Sequence, residues 1–210
     1  RSRQGGPAAP LGRGHGRDHP AGEDDSQAQA KIKAALRHGI TPILCVGETL
    51  EQRNGGQKFL AVEQAVAALE GVDVKQVVIA YEPVWAIGTG EVATAEQAEE
   101  IIEAIRAGLK KNLGEEFADK TRILYGGSVK ANNVASFLKM PNIDGVLVGG
   151  ASLDSDEFAN IARFRASGNQ KQKWYLCLFC PLFYRHVQEH DSNKRFLVSY
   201  KMVGCCPSES

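Results

Sequence analysis

Between residues 28 and 164, short apolar runs that end in Gly, Glu or Ser alternate with segments of helical periodicity, and few folds accept that order. Runs of this length, bounded by turn residues, read as strands buried on both faces. The helical segments between them are long enough to cross back over a sheet, so the chain reads as α/β with a parallel sheet.

Ala28 to His38 places Ile32, Ala35 and Leu36 on one face, with Gly39 where a C-terminal cap belongs. Ile40 to Val46 is a buried-type strand bounded by Gly47, and Phe59, Val62, Val66 and Leu69 then recur at helical spacing. Val77 to Tyr81 is a second strand. Thr94 and Gln97 form a capping box, followed by the stripe Ala98, Ile102, Ile105 and Leu109. Arg122 to Tyr125 is the third strand, Ala131 to Lys139 a short helix and Gly145 to Val148 the fourth strand. Ser155 caps a last helix that runs to Phe164. The expected architecture is four adjacent parallel strands near 41–46, 76–81, 121–125 and 144–148, in that order, with helices on one outer side. Four strands do not close a barrel, so both edges of this sheet are expected to lie open.

The flanks differ in composition. Residues 1–25 hold six Gly, three Pro and four Arg, with Leu11 their only large aliphatic residue. They bury too little apolar area to offset chain entropy, and residues 1–21 are expected to be disordered. No acid precedes Asp18, as in a transit peptide, but the amphipathic face of such a peptide is missing. Residues 165–210 carry seven of the fifteen aromatics and four of the five cysteines, and no capped or periodic element is evident there. Three zones follow: a disordered extension at 1–21, an α/β unit at 22–164 and an irregular tail at 165–210.

Lys plus Arg and Asp plus Glu each number 25, so net charge gives no case for nucleic acid or an anionic membrane surface. No apolar run approaches the ~20 residues of a membrane span. The first residues lack the apolar stretch of a secretory signal. The chain starts at Arg1 rather than Met and reads as a fragment. Cysteine usage suits a reducing compartment, and Cys45 reads as a small core residue. The tail has one metal-like pattern, Cys177-x₂-Cys180 then His186-x₃-His190, but five residues between the pairs are too few for a zinc hairpin and helix. No metal and no cofactor is expected.

In parallel α/β proteins the C-terminal ends of strands carry the chemistry. The most informative stretch is Ala80-Tyr-Glu-Pro-Val-Trp-Ala-Ile-Gly-Thr-Gly90. A strand delivers Glu82 to its rim, Pro83 stiffens the chain, and Ala86 to Gly90 has the small, Gly-bearing composition of a loop that moves. A carboxylate beside a closable loop suits proton abstraction from carbon, since closure expels water and raises basicity. The plain alternative, a strand-end Glu capping a neighbouring helix, loses weight in this context. Gly126, Gly127 and Ser128 follow the third strand, and Gly149 and Gly150 the fourth. Bare amides there suit a phosphate, with the Ser128 hydroxyl as a further donor, although tight turns alone also demand Gly. Glu48 either braces Trp85 through the indole N–H or is a solvent-facing rim charge, and spacing does not choose between them.

The strings Thr41-Pro-Ile-Leu-Cys-Val-Gly-Glu48, Ala80 to Gly90, Tyr125-Gly-Gly-Ser-Val129 and Asp144 to Leu153 resemble the motifs of triosephosphate isomerase, in that family's order. The resemblance covers roughly residues 22–164 and implies the last half of a (β/α)₈ barrel. It implies Glu82 as general base, with Gly88, Ser128, Gly149 and Gly150 holding the substrate phosphate. Tyr125 is implied as the latch of the closed loop, with Trp85 and Glu48 as loop support. It further implies a small phosphorylated triose as substrate, a cytoplasmic glycolytic setting and a homodimeric family whose usual dimer elements are missing here. No string like the family's Gly-Asn-Trp-Lys-Met or Gly-His-Ser-Glu-Arg is present, and Gly14-His15 is followed by Gly-Arg-Asp, so the family's His role is not carried onto His15. Glu91 stands where the family often has Lys. The outer segments read as sequence from outside the family, out of frame at the start and read-through at the end. The expected function is triosephosphate isomerase with impaired activity in this chain; the alternatives are a non-catalytic phosphate-binding half-barrel and an association-prone fragment.

Overall fold

The computed structural model describes residues 24–72, 77–86, 91–164, 174–177 and 199–200. The expected disorder of 1–21, His15, Gly88, Cys180, His186 and His190 all lie outside the described residues.

Helix α1 (Asp25–Arg37) opens on a capping box: Asp24 Oδ1 accepts the Gln27 N–H at 2.8 Å and Gln27 Oε1 accepts the Asp24 N–H. Gly39, at φ 67°, lets the chain leave the helix in the left-handed region. Strand β1 (Thr41–Val46) follows, then two helices, α2 (Leu50–Asn54) and α3 (Leu60–Leu69). Strand β2 (Val78–Tyr81) leads to α4 (Ala95–Leu113), which starts on the expected Thr94–Gln97 box, and to α5 (Glu115–Lys120). Strand β3 (Arg122–Tyr125), α6 (Val134–Leu138), β4 (Gly145–Val148) and α7 (Ser155–Arg163) complete the alternation.

Strands β1 to β4 are adjacent, parallel and in chain order, with Ile79 aligned between Leu44 and Ile123 and Tyr125 facing Val146. Side chains alternate strictly across this sheet. Leu44, Val46, Ile79, Tyr81, Ile123, Tyr125, Val146 and Val148 join the helices in the main core. Ile43, Val78, Ala80, Leu124 and Leu147 form a smaller buried cluster on the opposite face, with Cys45 half-buried against it. Period-two alternation makes the two clusters inevitable once the register is set.

Several sequence expectations are corrected. Helices α2 and α5 were not anticipated, although Thr49 and Gln52 form a further capping box at the start of α2. Asp154, not Ser155, caps α7, because Asp154 Oδ1 reaches the N–H groups of both Asp156 and Glu157 at 3.0 Å. The buried face of α3 is Leu60, Ala61, Gln64, Ala65, Ala68 and Leu69, whereas Phe59 is exposed. Val62 and Val66 form a second stripe of that helix, where Gly108 of α4 comes close enough that a Cβ would lie 2.6 Å from Val62 Cγ1. The sheet is open, as expected, but among the described residues its edges are not β1 and β4, because each of these takes a further strand on its outer side. From the tail, read as irregular, strand β5 (Trp174–Cys177) pairs in parallel with the whole of β4. Strand β6 (Ser199–Tyr200) pairs antiparallel with Thr41 and Pro42 of β1. An unpaired edge is a row of unsatisfied donors and acceptors, and a β-prone Trp-Tyr-Leu-Cys run is suited to fill it.

Arg106 of α4 locks the lower end of the sheet. Its guanidinium donates to the carbonyls of Ala118 (2.7 Å), Thr121 (3.1 Å) and Asn142 (3.1 Å) and to Asp144 Oδ2 at 2.7 Å. Asp144 Oδ2 also accepts the Ile123 N–H at 2.9 Å, so one ion pair joins α4, α5, β3 and the approach to β4. Among the described residues no helix is long and apolar enough to cross a membrane.

Candidate active site

The C-terminal ends of β1 to β4 lie side by side, and backbone bonds set the position of the first residue beyond β2. The Glu82 N–H donates to the Val46 carbonyl at 2.7 Å, and the Val84 N–H to the Glu48 carbonyl at 3.1 Å. From the other side the Gly126 N–H donates to the Tyr81 carbonyl at 2.8 Å. The sheet's ladder thus continues past both flanks of Glu82. Strand parity places Glu82 with Val78 and Ala80, on the face away from the helices.

Glu82 is 9% exposed, and two glycines make room for it. A Cβ on Gly47 would lie 1.8 Å from the Glu82 carbonyl oxygen. One on Gly126 would lie 2.9 Å from its Cγ and 3.5 Å from Oε1, so the carboxylate arm runs across Gly126. Pro83 then turns the chain into a single 3₁₀ turn, Val84–Ala86, closed by the Ala86 N–H on the Pro83 carbonyl at 2.8 Å.

Glu48 is fully buried, which rules out a solvent-facing charge. Its Oε1 accepts from Arg53 Nη1 at 2.8 Å, from the Tyr81 hydroxyl at 3.1 Å and from Trp85 Nε1 at 3.1 Å. The bracing alternative is the one the geometry adopts. Arg53 also lies 4.9 Å from the centre of the Trp85 ring, a cation–π distance. Burial, and then the negative charge of Glu48, push the Tyr81 phenol far above its ordinary value, so it stays a donor. Sequence reasoning missed Arg53; the Thr49–Gln52 capping box was the signal, since it starts the helix whose last turn returns Arg53 to Glu48.

Ser128, Gly149 and Gly150 follow β3 and β4 at the same end as Glu82. The Ser128 hydroxyl donates to the Ala86 carbonyl at 3.0 Å, which ties this loop to the segment after Glu82. That hydroxyl is therefore engaged with the chain rather than held ready as an anion donor, and only the Ser128 N–H keeps that capacity. The Gly149 carbonyl accepts both the N–H (2.9 Å) and the hydroxyl (2.7 Å) of Ser152. In a trans peptide this aims the next N–H, that of Gly150, the opposite way, out of the turn.

Tyr125 is buried with its ring stacked on Phe137 at 4.0 Å. Its hydroxyl lies under Gly127, where a Cβ would be 2.2 Å away, and has no partner among the described residues. Burial raises its phenol well above the ordinary value. Among the described residues no three metal-ligating side chains cluster.

The sequence profile of triosephosphate isomerase matches residues 14–165, which begins ahead of the boundary expected at residue 22 and includes His15. The chain is 55% identical over 150 residues to the triosephosphate isomerase of Streptomyces coelicolor, covering 68% of this chain and 57% of that protein. It is 48% identical over 162 residues to the triosephosphate isomerase of Saccharopolyspora erythraea, covering 75% and 62%. Identity to the Clostridium perfringens triosephosphate isomerase is 53% over 146 residues, covering 68% and 59%. The chain thus spans less than two thirds of the length of these relatives.

Proposed function

Because the chain belongs to the triosephosphate isomerase family, we propose that it carries the proton-transferring and phosphate-holding half of an isomerase site for dihydroxyacetone phosphate and glyceraldehyde 3-phosphate. The observation that carries this reading is Glu82: a nearly buried carboxylate at a strand end, on the face away from the helices, packed against Gly47 and Gly126. Glu82 takes the proton from C1 of the ketose; the C–H electrons form the C1–C2 double bond and the C2 carbonyl electrons move onto that oxygen, giving an enediolate. A proton then passes from the C1 hydroxyl to the C2 oxygen, and Glu82 returns its own proton to C2 as the C1–O bond becomes the carbonyl of the aldose. The N–H groups of Gly88, Ser128, Gly149 and Gly150 hold the phosphate, where amides and local dipoles favour an anion. Trp85, fixed on Glu48 and Arg53, anchors the start of the loop that shields the enediol from water, and Tyr125 serves as its latch. This reading sets the protein in cytoplasmic glycolysis and gluconeogenesis, in a family of homodimers.

A positioned base is worth ~10²–10⁴-fold, and donors aimed at the developing oxyanion supply much of the rest. The 210 residues contain no match to the family strings that bear its Lys and electrophilic His. The alternative, a phosphate-binding half-barrel without chemistry, rests on that observation. In D₂O the purified chain should incorporate deuterium into dihydroxyacetone phosphate above background, and Glu82→Gln should abolish this. Net turnover in a coupled assay should stay far below that of a full-length family enzyme. Equal incorporation by wild type and Glu82→Gln rejects Glu82 as the base and leaves the binding alternative.

A further inference from the structure

We infer that Gln64 is a positioning residue for Glu82, acting through Gly47, an assignment that draws its importance from reading Glu82 as the base. The inner face of α3 is otherwise small and apolar: Leu60, Ala61, Ala65, Ala68 and Leu69. Gln64 stands among them, fully buried, where a leucine would fill the same volume with no polar group to satisfy. Its Oε1 accepts the Gly47 N–H at 2.9 Å in a buried bond.

Gly47 is the middle of a three-residue clasp. On one side Val46 receives the Glu82 N–H, and on the other Glu48 receives the Val84 N–H. Between them Gly47 lies flat against the Glu82 carbonyl, at a distance that leaves no room for a Cβ. A shift of Gly47 therefore pushes on Glu82 directly. It also carries Glu48, and with it the Trp85 indole. Gln64 is the contact by which helix α3 fixes that clasp. Misplacing a catalytic group by about 1 Å costs on the order of 10²-fold in rate, so a device that holds Glu82 to that tolerance matters to chemistry and not only to stability.

The test uses the 210-residue chain in a Trp174→Phe background, which leaves Trp85 as the only tryptophan. Gln64→Met keeps the volume and removes the acceptor, while Gln64→Glu keeps an acceptor oxygen. Gln64→Asn keeps the amide but stops short of Gly47, and serves if the Met variant does not fold. Ile105→Val, in the fully buried stripe of α4, controls for general loosening. Gln64→Met, or Gln64→Asn, should move the amide resonances of Gly47, Glu82 and Val84 and the carboxylate ¹³C resonance of Glu82, and shift Trp85 emission to the red. Gln64→Glu should restore all of them, and Ile105→Val should lower the thermal midpoint while moving none. Unmoved Glu82 resonances in Gln64→Met, or no restoration by Gln64→Glu, overturn the assignment. Deuterium incorporation is measured separately, so failure of the isomerase reading is distinguishable from failure of this one.

Discussion

The indole Nε1 of Trp85 lies 3.1 Å from Oε1 of Glu48, a buried oxygen that also receives the Tyr81 hydroxyl and a guanidinium nitrogen of Arg53. Three donors from α2, β2 and the turn after Glu82 converge on one acceptor. The turn after Glu82 is therefore held by charge as well as by packing.

Glu48→Leu should orphan all three donors at once. Removing one partner of a buried ion pair costs ~3–5 kcal/mol, and Arg53 keeps some solvent contact, so a loss of ~3 kcal/mol in urea unfolding is expected. In a Trp174→Phe background the Trp85 emission should shift to the red, with less change in Glu48→Gln, which retains an acceptor. An unshifted Glu48→Leu spectrum would show that the indole is fixed by packing alone.

Arg106→Lys should destabilise the chain far from the site. Lysine lacks the planar fork that reaches Ala118, Thr121, Asn142 and Asp144 together. A loss of ~2–4 kcal/mol is expected from urea titration. Adding Asp144→Asn should cost much less than in wild type, since both changes disrupt one network. Additive losses would argue against that network.

Gly126→Ala should separate positioning from folding. The new methyl meets Glu82 at Cγ, at 2.9 Å, so this buried side chain must shift, whereas the Tyr81 carbonyl stays at an ordinary 3.5 Å. Overpacking of this kind should cost ~1–3 kcal/mol. Deuterium incorporation into dihydroxyacetone phosphate should also fall by at least ~10-fold, because the carboxylate leaves its place. Retained incorporation would mean that the arm across Gly126 is not the reactive pose.

Alkaline pH should unfold the protein through its two buried tyrosines. Tyr81 and Tyr125 both have phenols raised by burial, so the folded state holds their protons where the unfolded state releases them. The folded state then binds more protons, and stability falls as pH rises. Their contribution is complete below about pH 10, the unfolded value, and is lost progressively above it at ~1.4 kcal/mol per pH unit and group. Tyr125→Phe should roughly halve the slope between pH 10 and 11. At pH 7 it should cost almost nothing, because its hydroxyl has no partner among the described residues. A pH-independent urea midpoint from 8 to 11 would contradict this.

The strands and their order were legible because the signals are local. Apolar runs closed by glycine, the Thr94–Gln97 box and the position of Glu82 at a strand end all lie within a few residues of the feature they specify. Even the face onto which Glu82 projects follows from counting by two from Val78. The misses were local signals left unread, the Thr49–Gln52 box and the Asp154 cap, or pairings that no short window contains.

The sequence by itself therefore determined the α/β alternation, the parallel order of β1 to β4 and the placement of Glu82, Ser128, Gly149 and Gly150 at one end of the sheet. Only the tertiary structure decided that Glu48 is buried beneath Trp85 from 37 residues away, and that Ser128 gives its hydroxyl to Ala86 across 42. It alone brought β5 onto the edge of β4 and Gln64 against Gly47. Periodicity and caps act through neighbouring φ, ψ and side-chain direction, which the local sequence sets. The partner of a buried polar group is instead chosen by which acceptor the sheet register brings within about 3 Å, and that is a property of the assembled fold.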